Sequence, residues 1–290
     1  MSAIPVAVET SAVSAADIVQ ALQHLPSAPK VLPRLTQLLN DANSSINEIV
    51  ALVRLDPGIA ARVLQVANSV YYGKGLRVCS VDEAVLRLGY DQVYQMVSYA
   101  SASQILIRPL AVYGIEADEL WKQAVACALA AETLATLIGE DRNIAYTVGL
   151  LHGVGMVAIN EWAIQHPPVL MFMHKGLPFE YVESERALTG LSQAEVGAAL
   201  LEHWDFPVSM CSPVRWQYAP LGSPGHIRMA ALLQVAKWIR SVVCSPDETF
   251  AIPESYVIQP LRLGTAQLKR VVGEVRLRLI AVRHLLEIAE

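Results

Sequence analysis

Four cysteines, Cys79, Cys127, Cys211 and Cys244, are scattered through 290 residues and form no C-x-x-C pair. That spacing excludes a zinc knuckle or a disulfide framework and fits a reducing compartment, so a cytoplasmic protein is expected. Charge is also scarce, at 17% of residues, and the net charge of −5 is acidic. A protein built to grip many phosphates carries a basic surplus, so nucleic acid is not the expected partner. The opening stretch MSAIPVAVETSAVSAAD lacks a basic n-region and carries Glu9 and Asp17, which argues against a secretory signal. Walker A, G-x-G-x-x-G and G-x-S-x-G motifs are all missing, and no pair of histidines has the H-E-x-x-H spacing.

Apolar residues are plentiful. They make up 53% of the chain, with a mean hydropathy of +0.37, which excludes general disorder and provides for a large core. The longest charge-free run, Asn143 to Asn160, reaches the minimum length of a membrane span, but it includes Tyr146, Thr147, His152 and three glycines. A buried core helix is the better reading, with no membrane span. Within it, Gly149 and Gly153 have the G-x-x-x-G spacing that lets helices cross closely.

Helix signals recur along the chain, and period-two alternation does not. Ser45 with Glu48, Ser80 with Glu83 and Ser192 with Glu195 have capping-box spacing. Asp56-Pro57 and Ser223-Pro224 place a cap before proline at a first helical position. Gly89 and Gly139 fit helix ends. An all-α bundle of about a dozen helices is therefore expected. The expected organisation is a flexible N-terminus over 1–13, an N-terminal helical subdomain over 14–110, a second bundle over 111–245, and a crossing segment with a final helix over 246–290.

Several stretches carry a family resemblance. Leu55 to Ser69, LDPGIAARVLQVANS, closely resembles a hallmark of HDOD domains. Val78 to Gly89, VCSVDEAVLRLG, is similar to the family's next signature, and Leu25 to Pro29, LPSAP, to its proline-punctuated opening. Ala194 to Ala198 followed by Trp204 to Pro207 resembles its later half, so the likeness spans roughly residues 22–245. It implies an all-α, HD-phosphohydrolase-related fold with an added N-terminal helical subdomain. It also implies a bacterial signalling role through protein–protein contact, with a response regulator or a cyclic-di-GMP-related protein as the kind of partner.

HD hydrolases gather histidines and aspartates around divalent metals, which lower the pKa of bound water from ~16 toward ~7. At the matching doublet this chain reads His152-Gly153, and glycine cannot ligate. Where relatives often carry histidine it reads Gln193. The later paired-histidine position is Gln217-Tyr218, and Ala236-Lys237 stands where Ala-Asp would supply a carboxylate. One imidazole does not hold a hydrolytic metal, so no catalytic residue, no metal ligand set and no cofactor are expected. His152, Gln193, Gln217 and Tyr218 form a candidate vestigial pocket, either an internal polar network or a small-molecule site.

A candidate interaction surface has two parts. The first is Asn68 with Tyr71 and Tyr72, although Asn68 also suits helix closure. The second is the stripe Lys269, Arg276 and Arg283 on the last helix, where residues 262–290 carry six Lys/Arg against three Asp/Glu. Arg278 lies off that stripe. Three readings remain: a non-catalytic signalling adaptor, a small-molecule or nucleotide sensor, and a residual metal-dependent phosphohydrolase.

Overall fold

The structure, a computed structural model, describes residues 14–21, 31–40, 45–54, 57–69, 72, 77–166, 181–245 and 249–287. The expected flexible N-terminus, the Leu25–Pro29 opening, Asp56 and Tyr71 lie outside the described residues.

The described elements are helical, and no strand occurs among them beyond one isolated bridge. Four short helices come first: α1 (Ala15–Ala21), α2 (Val31–Asn40), α3 (Ile46–Arg54) and α4 (Pro57–Ala67). Then follow α5 (Val81–Leu88) and α6 (Tyr90–Leu106), and a tight turn in which Leu110 N–H donates to the Ile115 carbonyl. The central helices are α7 (Glu119–Ile138), α8 (Arg142–Leu151), α9 (Val154–Ile164), α10 (Tyr181–Thr189), α11 (Gln193–His203) and α12 (Val208–Arg215). The chain ends with α13 (Ile227–Cys244), the one-turn α14 (Ser255–Ile258) and the long α15 (Thr265–Glu287).

Local chemistry sets many of these boundaries. Ser192 and Glu195 form a complete reciprocal box that starts α11, and Ser80 caps α5 by accepting from Glu83 N–H. Gly139 ends α7 in the left-handed conformation at φ 74°. Ser223, by contrast, does not cap α13, whose N-cap is His226. Gly225, at φ 71°, extends the turn past Pro224, α13 starts at Ile227, and the Ser223 hydroxyl pairs with that of Ser212 at 2.9 Å.

The core sits around α7, whose face from Leu120 to Ala135 is almost wholly buried against α8, α13 and α15. The α7–α8 crossing is tight. A Cβ at Gly149 would lie 2.8 Å from the Ala128 Cα and 2.9 Å from the Cys127 carbonyl oxygen. The α9–α11 crossing is tighter still, because a Cβ at Gly155 would lie 1.9 Å from the Gln193 carbonyl oxygen. These two crossings explain a departure from expectation. The run Asn143 to Asn160 is not one helix but two, because α8 is drawn against α7 and α9 against α11. The chain turns between them at His152 and Gly153, and most of the run is buried.

Buried polar ties join early and late helices. The Tyr94 hydroxyl on α6 lies 3.1 Å from Thr36 on α2 and 2.7 Å from Thr147 on α8. Arg278 on α15 pairs with the buried Glu132 on α7 and donates to Thr133 at 2.9 Å. Arg278 therefore fastens the last helix to the core.

Candidate functional site

The turn between α8 and α9 places His152 at the centre of a polar node. The imidazole is 3% exposed. Its Nδ1 lies 2.7 Å from the Gly149 carbonyl, which can only accept, so Nδ1 carries the proton. Nε2 is then the acceptor, and it receives an N–H from the Arg240 guanidinium at 3.1 Å. Burial, followed by the charges of Arg240 and Lys237, holds the imidazole pKa well below its ordinary 6.5. The ring is neutral.

The other candidate pocket residues gather around it. Gln217, in the turn after α12, donates to the His152 carbonyl at 3.0 Å and to the Val214 carbonyl at 3.1 Å. Its own oxygen accepts from Lys237 Nζ at 2.9 Å. That ammonium also sits 3.4 Å from the centre of the Tyr218 ring, a cation–π contact. The Tyr218 hydroxyl accepts from Gln193 Nε2 at 2.6 Å. His152, Gln193, Gln217 and Tyr218 are thus linked in one network through Lys237 and Arg240. Burial first, then the neighbouring Arg240 charge, pull the Lys237 pKa well below its usual value.

Two members carry no sequence signal of this role. Glu185 on α10 is fully buried, accepting from the Tyr113 hydroxyl at 2.9 Å and from Gln193 N–H at 2.7 Å. Burial pushes its carboxyl up to about 7. Tyr113 comes from the turn before α7 and stacks edge-on against Tyr181. Arg240 is the third missed residue, although it follows Lys237 by one turn of α13, a spacing that places both on one face.

Whether a divalent metal fits here turns on lone pairs. An Nδ1–H bond to a carbonyl is how a metal-bound histidine is usually held in place, but here the facing Nε2 is turned to a guanidinium. Both oxygens of Glu185 are already engaged, and the other neighbours are amides and an ammonium. Among the described residues, no group of three His, Cys, Asp or Glu is placed to hold a metal. This donor set does not fit a hydrolytic metal. Gly153 leaves the doublet without a carboxylate, and a Cβ there would meet only Leu120, at 3.1 Å.

The surface candidates have mixed placements. Asn68 is spent internally: its oxygen accepts from Val78 N–H at 2.7 Å and its amide donates to the Val78 carbonyl at 2.8 Å. The Tyr72 hydroxyl donates to Gln92 at 2.7 Å. The pair therefore clasps the α4–α5 connection instead of presenting free polar groups. On α15, Lys269 and Arg276 are exposed, with Arg276 donating to the Val242 carbonyl at 3.3 Å. The Arg283 side chain lies outside the described residues.

The described elements thus form an all-helical bundle around a buried polar node at His152. The comparisons agree with that fold class. The HDOD domain model matches residues 25–220, and the chain belongs to the HDOD family. An uncharacterized protein of Treponema pallidum (strain Nichols) is 25% identical over 211 residues, covering 70% of this chain and 39% of that protein. The chain thus spans well under half of that relative. Among solved structures, an HDOD domain protein of unknown function from Geobacter sulfurreducens superposes with TM-score 0.68 at 22% identity, covering 91% of this chain and 95% of that one. A Marinobacter aquaeolei VT8 protein provisionally assigned to signal transduction gives 0.67 at 24% identity, covering 90% of this chain and 59% of that one. A Shewanella amazonensis SB2B protein provisionally named a phosphohydrolase gives 0.61 at 22%, covering 93% and 94%. At these identities the structural likeness speaks for the fold alone.

Proposed function

We propose that this chain is a non-catalytic signal-transduction module that works by contact with another protein. The observation that carries the reading is the Arg240 N–H aimed at His152 Nε2, the lone pair a hydrolytic metal would need. A cation supplied by the protein stands in the metal's place and repels a second one. The Marinobacter protein of the same fold carries a provisional signal-transduction assignment, which is in keeping with this reading. Leu277 and Ile280, on α15, are 71% and 55% exposed and lie one helical turn apart, beside the exposed Arg276. An exposed apolar pair flanked by cations suits a partner with an apolar, acidic face, such as another signalling protein.

Two measurements test this together. Turnover of bis(4-nitrophenyl) phosphate with added manganese, iron, zinc or magnesium should not exceed that of H152A. The double variant L277D/I280D should lose a two-hybrid signal with response regulators or cyclic-di-GMP-related proteins of the same cell, while melting within a few degrees of the parent. Metal-dependent turnover lost in H152A would refute the non-catalytic part. An unchanged interaction in L277D/I280D would refute the assignment of α15.

A further inference from the structure

Among the described residues, Arg240 and Lys237 have no carboxylate paired directly with them. The Arg240 guanidinium makes two contacts among the described residues, to His152 Nε2 at 3.1 Å and to Ser241 Oγ at 3.4 Å. A guanidinium carries five N–H donors in a planar fork, so most are left over. Lys237 uses Gln217 and the Tyr218 ring, both uncharged. Among the described residues, no carboxylate lies within 4 Å of either cation, whereas Arg278, Arg228 and Arg142 each have one. Glu185 is near enough for its charge to act on Lys237, but it makes no ion pair with either cation, and its oxygens accept from Tyr113 and Gln193. Glu119 stands exposed at the rim.

Two cavities meet at these cations. One, of about 320 Å³, is bounded by His152, Gly153, Gln193, Tyr218, Lys237 and Arg240. The other, of about 410 Å³, shares Tyr218, Lys237, Arg240 and Phe250 with the first and adds the apolar walls of Trp238 and Pro253. Each is within the range of small-molecule sites, which combine mostly apolar walls with a few placed polar groups. Three residues lining them hold buried polar atoms with no hydrogen-bond partner among the described residues: Gln193 Oε1 in the first, Gln234 Oε1 and Trp238 Nε1 in the second. Each such atom can form a hydrogen bond with a molecule held in the cavity.

We propose that this joined cavity binds a small organic oxyanion, with its phosphate or carboxylate on the Arg240–Lys237 pair and its apolar or aromatic body against Phe250, Trp238 and Pro253. The inference rests on the non-catalytic reading, because a metal in the node would take the anion itself. The charged group supplies the direct ion pair that the two cations lack among the described residues, and guanidinium geometry favours a planar or tetrahedral oxyanion. The aromatic walls then favour a carrier with a flat ring over the bare ion.

Calorimetric titration of the full chain with phenyl phosphate, benzoate, inorganic phosphate and phenol tests it. Saturable binding of phenyl phosphate or benzoate is expected, with inorganic phosphate weaker and phenol unbound; which aromatic acid binds better identifies the headgroup. R240Q should weaken the aromatic anion about 10- to 100-fold, the worth of a charge-assisted hydrogen bond. F250A, at a partly exposed wall, should weaken phenyl phosphate and leave inorganic phosphate unchanged, so the test survives if R240Q folds poorly. The site is refuted if neither aromatic acid saturates at millimolar concentration, or if a folded R240Q binds as well as the parent. Metal-dependent hydrolysis of phenyl phosphate would instead overturn the non-catalytic reading, and this site with it.

Discussion

Glu185 makes the stability of this protein depend on pH in a direction opposite to that of most carboxylates. It is fully buried, and burial raises its carboxyl from the ordinary 4.5 to about 7, against the pull of the bonds from Gln193 and Tyr113. Between those two values the folded chain keeps a proton that the unfolded chain has released. The folded state binds more protons, so stability falls as pH rises through this window and levels off above about 7. A shift from 4.5 to about 7, at about 1.4 kcal/mol per pH unit, makes the full swing about 3 kcal/mol at most. His152 works with the opposite sign, since its lowered pKa contributes stability that is lost as pH falls below about 6.5. Comparing the parent with E185Q cancels that contribution, because the imidazole is present in both. Urea unfolding of both proteins from pH 4.5 to 8 should show the parent losing about 2–3 kcal/mol relative to E185Q as pH rises. A flat difference, or one that grows in the parent's favour with pH, would refute the reasoning.

Other elements allow equally definite tests. R278M leaves the buried Glu132 carboxylate without its cation and should cost about 2–4 kcal/mol in chemical unfolding, less than a wholly buried pair because Arg278 is itself 31% exposed. G155A places a methyl group on the Gln193 carbonyl across the α9–α11 crossing; a loss of about 3 kcal/mol or more is expected, and an unchanged melting temperature would contradict that packing. N68A removes both bonds that hold Val78 and should lower stability by about 1–3 kcal/mol, whereas a purely surface asparagine would cost almost nothing.

Much of the fold was legible because the relevant signals are local. Capping boxes at Ser80 and Ser192, the stop at Gly139 and the absence of alternation are read within one or two turns of chain, and the helices follow them. The Ser223-Pro224 signal failed because a competing turn at Gly225 delays α13 by a few residues. The Asn143–Asn160 run was read as one helix because hydropathy does not reveal that α8 and α9 pack on different neighbours. In the site, the family pattern pointed to His152, Gln193, Gln217 and Tyr218, and the structure brings these four together. It could not point to Glu185 or Tyr113. A buried acid on a short polar helix looks in sequence like any solvated glutamate, and its burial is decided by tertiary contacts 8 and 72 residues away. Arg240 was hidden for a related reason. Its spacing from Lys237 is visible, but that its guanidinium turns onto an imidazole 88 residues distant is not. Asn68 and Tyr72 show the converse, since polar residues after a helix are as often clasps as contacts.

The central claim concerns one nitrogen, and nitrogen NMR observes it. Long-range proton–nitrogen spectra of uniformly labelled protein, assigned at His152 by comparison with H152Q, report which ring nitrogen carries hydrogen and whether the other binds a metal. The ring is expected to be neutral, protonated at Nδ1 and unprotonated at Nε2 at pH 6, with signals unmoved by added zinc or manganese. A His152 Nε2 signal that shifts or broadens stoichiometrically with metal, or a ring already charged at pH 6, would contradict it.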